Sequence, residues 1–142
     1  MLANYEFSQR FRESEIPKLM AGLIFTESRG QSNPDPPSAA GAKGLCQIMP
    51  DAEELVRNKL GLAEGKYKIL DDETNVRFAM TYLDLLYGYF REEGIAIWAY
   101  HLGQGRMAVV IGNMIGETVG DSVDEREIFL QKCPEIVREN NL

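Results

Sequence analysis

Apolar residues fall at Ile16, Leu19, Met20, Leu23 and Ile24, the i, i+3, i+4, i+7, i+8 spacing that keeps one face of a helix in a core. The next position on that face is Glu27. At about 100° per residue it points within roughly 20° of Ile16, so the helix carries a carboxyl to the edge of the core. Desolvation there favours the protonated acid and raises its pKa. A carboxyl that stays protonated near neutral pH can be the general acid that cleaves a glycosidic bond, although burial alone does not single out that reaction. Periodicity leaves a second reading open, in which Glu27 is a last-turn acid that curls to solvent or pairs with Arg29.

The rest of the pattern is helical too. A short amphipathic segment, Tyr5 to Arg12, precedes Ser14, which can cap the Glu27 helix, and Pro17 is tolerated in the first turn. A second helix runs from Pro50 to Leu60 and ends at Gly61, with proline at the start and glycine after the end. Residues 62–70 read as loop. Asp71 or Asp72 then caps a long helix whose stripe is Val76, Ala79, Met80, Leu83, Leu86, Tyr87 and Phe90, a core face of Met and aromatic residues. Shorter helices are expected over Ile95 to Leu102, with Trp98 and Tyr100, and from about Arg106 to Ile111 after the Gly103-Gln104-Gly105 turn. Ser122 and Glu125 form a capping box for a helix to about Lys132, and Pro134 begins a last helical segment. With no convincing alternating strand, the class is all-α or nearly so.

Between the first two helices, Arg29 to Gly44 is too rich in Gly, Pro, Ser and Asn for helix or strand. A loop of this length inside a compact chain is usually functional. Composition sets the scale around it: 142 residues, 44% of them hydrophobic, are enough for one good core and one domain. The formal charge of -7, with no basic run, argues against a nucleic-acid partner and against simple electrostatic adhesion to anionic polymers. Met1 to Arg12 carries neither the basic nor the apolar region of a secretory signal, and no stretch is long enough to span a membrane.

Metal and nucleophile chemistry find no footing in the sequence. His101 is the one histidine, and Cys46 and Cys133 lack ligand spacing, so no metal and no cofactor is expected. The two cysteines are expected as buried free thiols rather than a disulfide. Ser28 and His101 have no obvious orienting acid for a catalytic triad. The chemistry therefore rests on one carboxyl.

Several short strings then align with a known family. Glu27-Ser28, Asn33-Pro34, Ser38-Ala39-Ala40-Gly41-Ala42, Gly44-Leu45-Cys46-Gln47 and Ala99-Tyr100-His101-Leu102-Gly103, in that order over about residues 14 to 111, resemble the motifs of the catalytic domain of soluble lytic transglycosylases. The resemblance implies a lysozyme-like, mostly helical single domain with an active-site cleft between helices. It implies action on peptidoglycan glycan strands, at the bond between N-acetylmuramic acid and N-acetylglucosamine. Glu27 would be the catalytic acid and base. Ser28 and Ser38 would lie near the reacting sugar, Gln47 would donate a hydrogen bond to the glycan, and Tyr100 would be a phenol close to the Glu27 carboxyl. A single carboxyl suffices because the sugar's acetamide stabilises the oxocarbenium-like centre and the muramoyl 6-hydroxyl closes on C1, giving a 1,6-anhydro end.

The chain also departs from the family. Cys46 stands where the family has Met, and His101-Leu102 where it has Asn-Ala; a structural histidine is the expectation. The stretch between Glu27 and Asn33-Pro34 is longer than usual, which loosens the placement of Ser38. An alternative is a lysozyme-type hydrolase of peptidoglycan or chitin, in which a loop acid such as Asp35 activates water. Another, of a different class, is a non-catalytic glycan-binding or structural wall module, which would gain nothing from a desolvated acid. A wall-cleaving function places the protein in the cell envelope or a phage virion. A mature or excised domain, a cargo of another export route and a phage-encoded module all fit.

Overall fold

The computed structural model describes residues 16–142 and holds six helices among them: α1 (Ile16–Ser28), α2 (Pro50–Leu60), α3 (Asp72–Phe90), α4 (Glu93–Leu102), α5 (Gln104–Ile115) and α6 (Val123–Glu139). The segment from Tyr5 to Arg12 and the Ser14 cap lie outside the described residues. The one β pairing described is an isolated antiparallel bridge between Lys43 and Ile48. Helix thus dominates, as the 3.6-residue periodicity requires. Among the described residues no helix is long and apolar enough to cross a membrane.

By backbone packing the chain divides into two compact units, one ending at Tyr82 and the other running from Leu83 to Leu142. In the first, α1 buries Ile16, Met20 and Leu23 and leaves Leu19 and Ile24 half-buried, a narrower stripe than the spacing suggested. α2 starts with Pro50 at its first turn and stops where Gly61 turns left-handed, at φ 66°. The Gly61 and Leu62 amides then donate to the Asn58 and Arg57 carbonyls, which closes the helix end. The cap of α3 is Asp71, whose Oδ2 accepts from both the amide and the hydroxyl of Thr74, each at 3.1 Å. Phe78 is buried on α3, and its ring lies 4.8 Å from that of Tyr67 in the preceding loop.

In the second unit α4 packs on α5 and α5 on α6. Three boundaries differ from the sequence reading, each for a local reason. α4 begins at Glu93 rather than Ile95, because the Glu92 carboxylate accepts the Ile95 amide at 2.6 Å and serves as an N-cap. α5 runs from Gln104 to Ile115 rather than from Arg106 to Ile111. Gly112 does not break it: a Cβ there would sit 2.7 Å from the Glu117 carbonyl and the Val119 side chain, so a missing side chain lets residues 117–119 fold back onto the helix. Its end comes at Gly116, left-handed at φ 76°.

The third difference is Pro134, which neither ends a helix at Lys132 nor begins another; α6 passes through it unbroken. A proline inside a helix costs about 3 kcal/mol. Around it, however, α6 buries Phe129, Leu130, Cys133 and Val137, each worth roughly 1.5–3 kcal/mol for the large apolar ones. Burial outweighs the lost hydrogen bond. The capping box at the start of α6 forms as the sequence implies, with Glu125 N donating to Ser122 Oγ at 3.1 Å and Ser122 N to Glu125 Oε2 at 3.3 Å. Trp98, on α4, stands 64% exposed.

Candidate functional site

Glu27 occupies the last turn of α1, half-buried, with its Oε1 shut off from solvent. The helix cannot continue far beyond it, since Arg29 and Gly30 both adopt left-handed backbone, at φ 54° and 82°. Arg29 N still bonds Phe25 O at 3.1 Å, so the turn that holds Glu27 is closed before the chain leaves. Ser28, buried beside it, donates its hydroxyl to Ile24 O at 3.2 Å. That bond fixes the Ser28 Oγ as part of the helix end and uses its one hydrogen, so its lone pairs can act only as acceptors.

From residue 29 to 49 the chain makes turns and one small hairpin. Ser38 lies in the first half of this stretch, half-exposed, its Oγ accepting the Ala40 amide at 3.3 Å in a Ser turn. Further on, Lys43 and Ile48 exchange both backbone bonds at 2.9 Å and enclose the four-residue turn Gly44–Gln47. Cys46 and Ile48 anchor this turn in the core, while Gln47 between them stays half-exposed. Gln47 is held at φ 49°, a left-handed value that a residue with a Cβ adopts only when its surroundings compel it. Its Nε2 donates to Gly44 O at 3.1 Å, and an amide nitrogen carries a second hydrogen besides.

The turn and the acid belong to one neighbourhood, and the Cys46 thiol reports it. Burial pushes that thiol up to about 12, and the carboxylates of Glu27 and then Asp72 push it the same way. The Glu27 carboxylate is thus within electrostatic reach of the Cys46 thiol. Both cysteines are buried thiols outside any disulfide, and burial alone raises Cys133 to about 12 as well.

These thiols make a pH prediction whose sign is fixed. Their folded pKa values lie above the ordinary 9.0, so the unfolded chain loses the thiol protons first as pH rises. Stability is unaffected below pH 9 and falls as pH climbs from there towards 12. Urea unfolding followed by circular dichroism should show the midpoint dropping as pH rises from about 9 towards 11, less steeply in a Cys46→Ala/Cys133→Ala variant. Identical slopes for the two proteins would contradict the assignment.

Tyr100 and His101 lie in the second unit, in the last turn of α4. Tyr100 is buried and His101 exposed, their rings edge to face with centroids 6.0 Å apart. Successive helix positions diverge by about 100°, so the two side chains leave the helix in different directions. Asp35 is exposed in the loop. Among the described residues no three His, Cys, Asp or Glu side chains cluster so as to hold a metal ion.

Motif matching missed Asn75. It lies in the first turn of α3, 0% exposed, and its side-chain amide binds three backbone groups: Nδ2 donates to Lys43 O at 3.0 Å and to Ile69 O at 2.8 Å, and Oδ1 accepts from Cys46 N at 2.8 Å. A polar residue inside an apolar helix face, just past a cap, is the signal that could have found it, because buried amides need partners.

Comparison with known proteins places these residues in a family. The chain matches the transglycosylase SLT domain over residues 5–115. It is 34% identical over 113 residues to the soluble lytic murein transglycosylase of Salmonella typhimurium, a match covering 78% of this chain and 17% of that protein. To the soluble lytic murein transglycosylase of Escherichia coli K12 it is 31% identical over 105 residues, covering 72% and 16%. The chain therefore spans a minor part of the length of the curated relatives it matches. No solved structure matches it at a comparable level of significance.

Proposed function

The chain belongs to the transglycosylase SLT domain family, and from that membership we propose that it cleaves the glycan strands of peptidoglycan as a lytic transglycosylase, with Glu27 as its acid and base. The observation that supports this reading is the position of Glu27: a carboxyl with one oxygen shut off from solvent, at the closed end of α1, whose charge reaches the Cys46 thiol in the turn that carries Gln47. Protonated Glu27 donates to the oxygen linking N-acetylmuramic acid to N-acetylglucosamine, and the C1–O bond breaks. The muramoyl acetamide stabilises the positive charge that develops at C1. Glu27, now a carboxylate, takes the proton of the 6-hydroxyl as that oxygen bonds to C1. The acid is thereby reprotonated, and no water is consumed.

Gln47 contributes a hydrogen-bond donor to the sugar, and Ser28, Ser38 and Tyr100 are proposed as further glycan contacts on the strength of the motifs they occupy. In a hydrolase of the two-carboxylate kind a second acid would activate water opposite Glu27, and Asp35, exposed in the loop, is the acid considered for that role. A substrate of this kind locates the activity in the bacterial envelope, whether the protein reaches it by export or in a virion.

The product decides the matter. Purified peptidoglycan digested in heavy-oxygen water and analysed by mass spectrometry should give muropeptides ending in 1,6-anhydro-muramic acid with no label. Labelled reducing ends would make the protein a hydrolase. Binding without any release of fragments would make it a glycan-binding module.

A further inference from the structure

We infer that Asn75 is a positioning residue for the proposed reaction: from inside α3 it holds the Gly44–Gln47 turn in register, and so sets where the Gln47 amide meets the glycan. The inference rests on the proposed function only for what Gln47 binds. That Asn75 holds the turn is a separate matter, carried by its bonds. Both hydrogens of Nδ2 and one lone pair of Oδ1 are engaged with backbone atoms at 2.8–3.0 Å, so the side chain has no donor left for a substrate. Its orientation is unambiguous, since two carbonyls demand the nitrogen on one side and the Cys46 N–H demands the oxygen on the other.

Two of the three groups it binds, Lys43 O and Cys46 N, lie at the base and within the turn; the third, Ile69 O, ties the loop before α3 to the same point. Gly44 is shaped to this contact. A Cβ on it would lie 2.6 Å from Asn75 Cγ, and its φ of 75° already favours glycine. Gln47 follows three residues later at a left-handed φ of its own. Left-handed backbone in a residue with a side chain persists only where neighbouring contacts over-determine it. Here those contacts are the Lys43–Ile48 bridge, the buried Cys46 and Ile48 side chains, and Asn75 from below. A second brace reaches the turn from outside. Lys43 Nζ pairs with Glu53 Oε2 at 3.1 Å, and Glu53 Oε1 accepts from Tyr67 at 2.8 Å, but this pair is solvent-exposed on the lysine side and weaker for it.

The experiment reads the turn and the catalysis separately. In the whole protein, iodoacetamide labelling of Cys46 is followed by mass spectrometry, with Cys133, equally buried in the second unit, as the monitor of global unfolding. Asn75→Ala should raise Cys46 labelling roughly tenfold or more while Cys133 stays protected, as local opening of one turn requires. On soluble peptidoglycan strands the same variant should raise KM roughly tenfold with kcat within a few-fold, the signature of lost binding rather than lost chemistry. Adding Gln47→Ala to it should change kcat/KM by less than about twofold, because coupled residues are not additive. Gly44→Ala, which drives a methyl against the Asn75 amide without deleting a bond, should reproduce the pattern and carries the test if Asn75→Ala does not fold. Equal labelling of Cys46 and Cys133 in both variants would overturn the inference, since Asn75 would then hold the whole fold. So would an opened turn with an unchanged KM, or additive losses with Gln47→Ala. Failure of the unmutated protein to cleave peptidoglycan is read before any variant is made and refutes the proposed function on its own.

Discussion

Glu27→Gln should give a folded protein whose turnover of peptidoglycan falls by about 10²- to 10⁴-fold, the usual worth of a general acid and base. The amide has nearly the shape of the carboxyl, and its oxygen can take the solvent-shielded place of Oε1. What it lacks is a proton to give and a basic oxygen to take one back. Glycan binding should therefore persist, and the melting temperature should move by only a few degrees. The substitution has a second readout independent of catalysis. Because the Glu27 carboxylate helps to raise the Cys46 thiol, its removal should lower the pH at which the Cys46 thiolate appears in an ultraviolet titration. Residual cleavage near the wild-type rate would place the acid elsewhere. An unmoved thiol titration would separate Glu27 from the turn.

The largest stability loss is expected from Phe78→Ala. Phe78 is among the largest fully buried side chains, and its ring packs at 4.8 Å on Tyr67. Deleting a buried phenylalanine ring costs about 3–5 kcal/mol through lost transfer energy and the cavity left behind. For a chain of this size that corresponds to a fall in melting temperature of roughly 10–20 °C. Activity should suffer as well at temperatures where the fold persists, because Tyr67 also bonds Glu53, which pairs with Lys43 at the base of the Gln47 turn. A shift of only two or three degrees would mean that the core collapses into the vacated space.

Much of this was readable in the chain because the controlling interactions are local. The α2 boundaries follow from Pro50 and Gly61, the α6 start from the Ser122–Glu125 box, and α3 from a cap and an apolar stripe, all within a few residues. The acid on the apolar face of α1 was visible for the same reason. What the sequence concealed depends on contacts between distant segments. Gly112 resembles a helix stop until the chain at Glu117 and Val119 is seen to need its space, and Pro134 resembles a break until burial on both sides of it is weighed. Asn75 is the clearest case at the site: its partners lie 32, 29 and 6 residues away, and nothing in local propensity announces them. The shift of the α4 start to Glu93 was hidden for a different reason, since glutamate is an uncommon N-cap and Glu92 takes that role through its longer side chain.

Trp98 is the chain's one indole, and it already faces water in the native state. Its emission should be red-shifted and open to quenching by iodide before any denaturant is added, and should change little when the chain unfolds. A fluorescence melt of this protein would then report a shallow transition while circular dichroism reported a deep one, and the mismatch would reflect where the indole sits rather than an intermediate. The same placement makes the residue a quiet background against which an encounter stands out: whatever settles on the surface of α4 should shift the emission to the blue, with the helical signal unchanged.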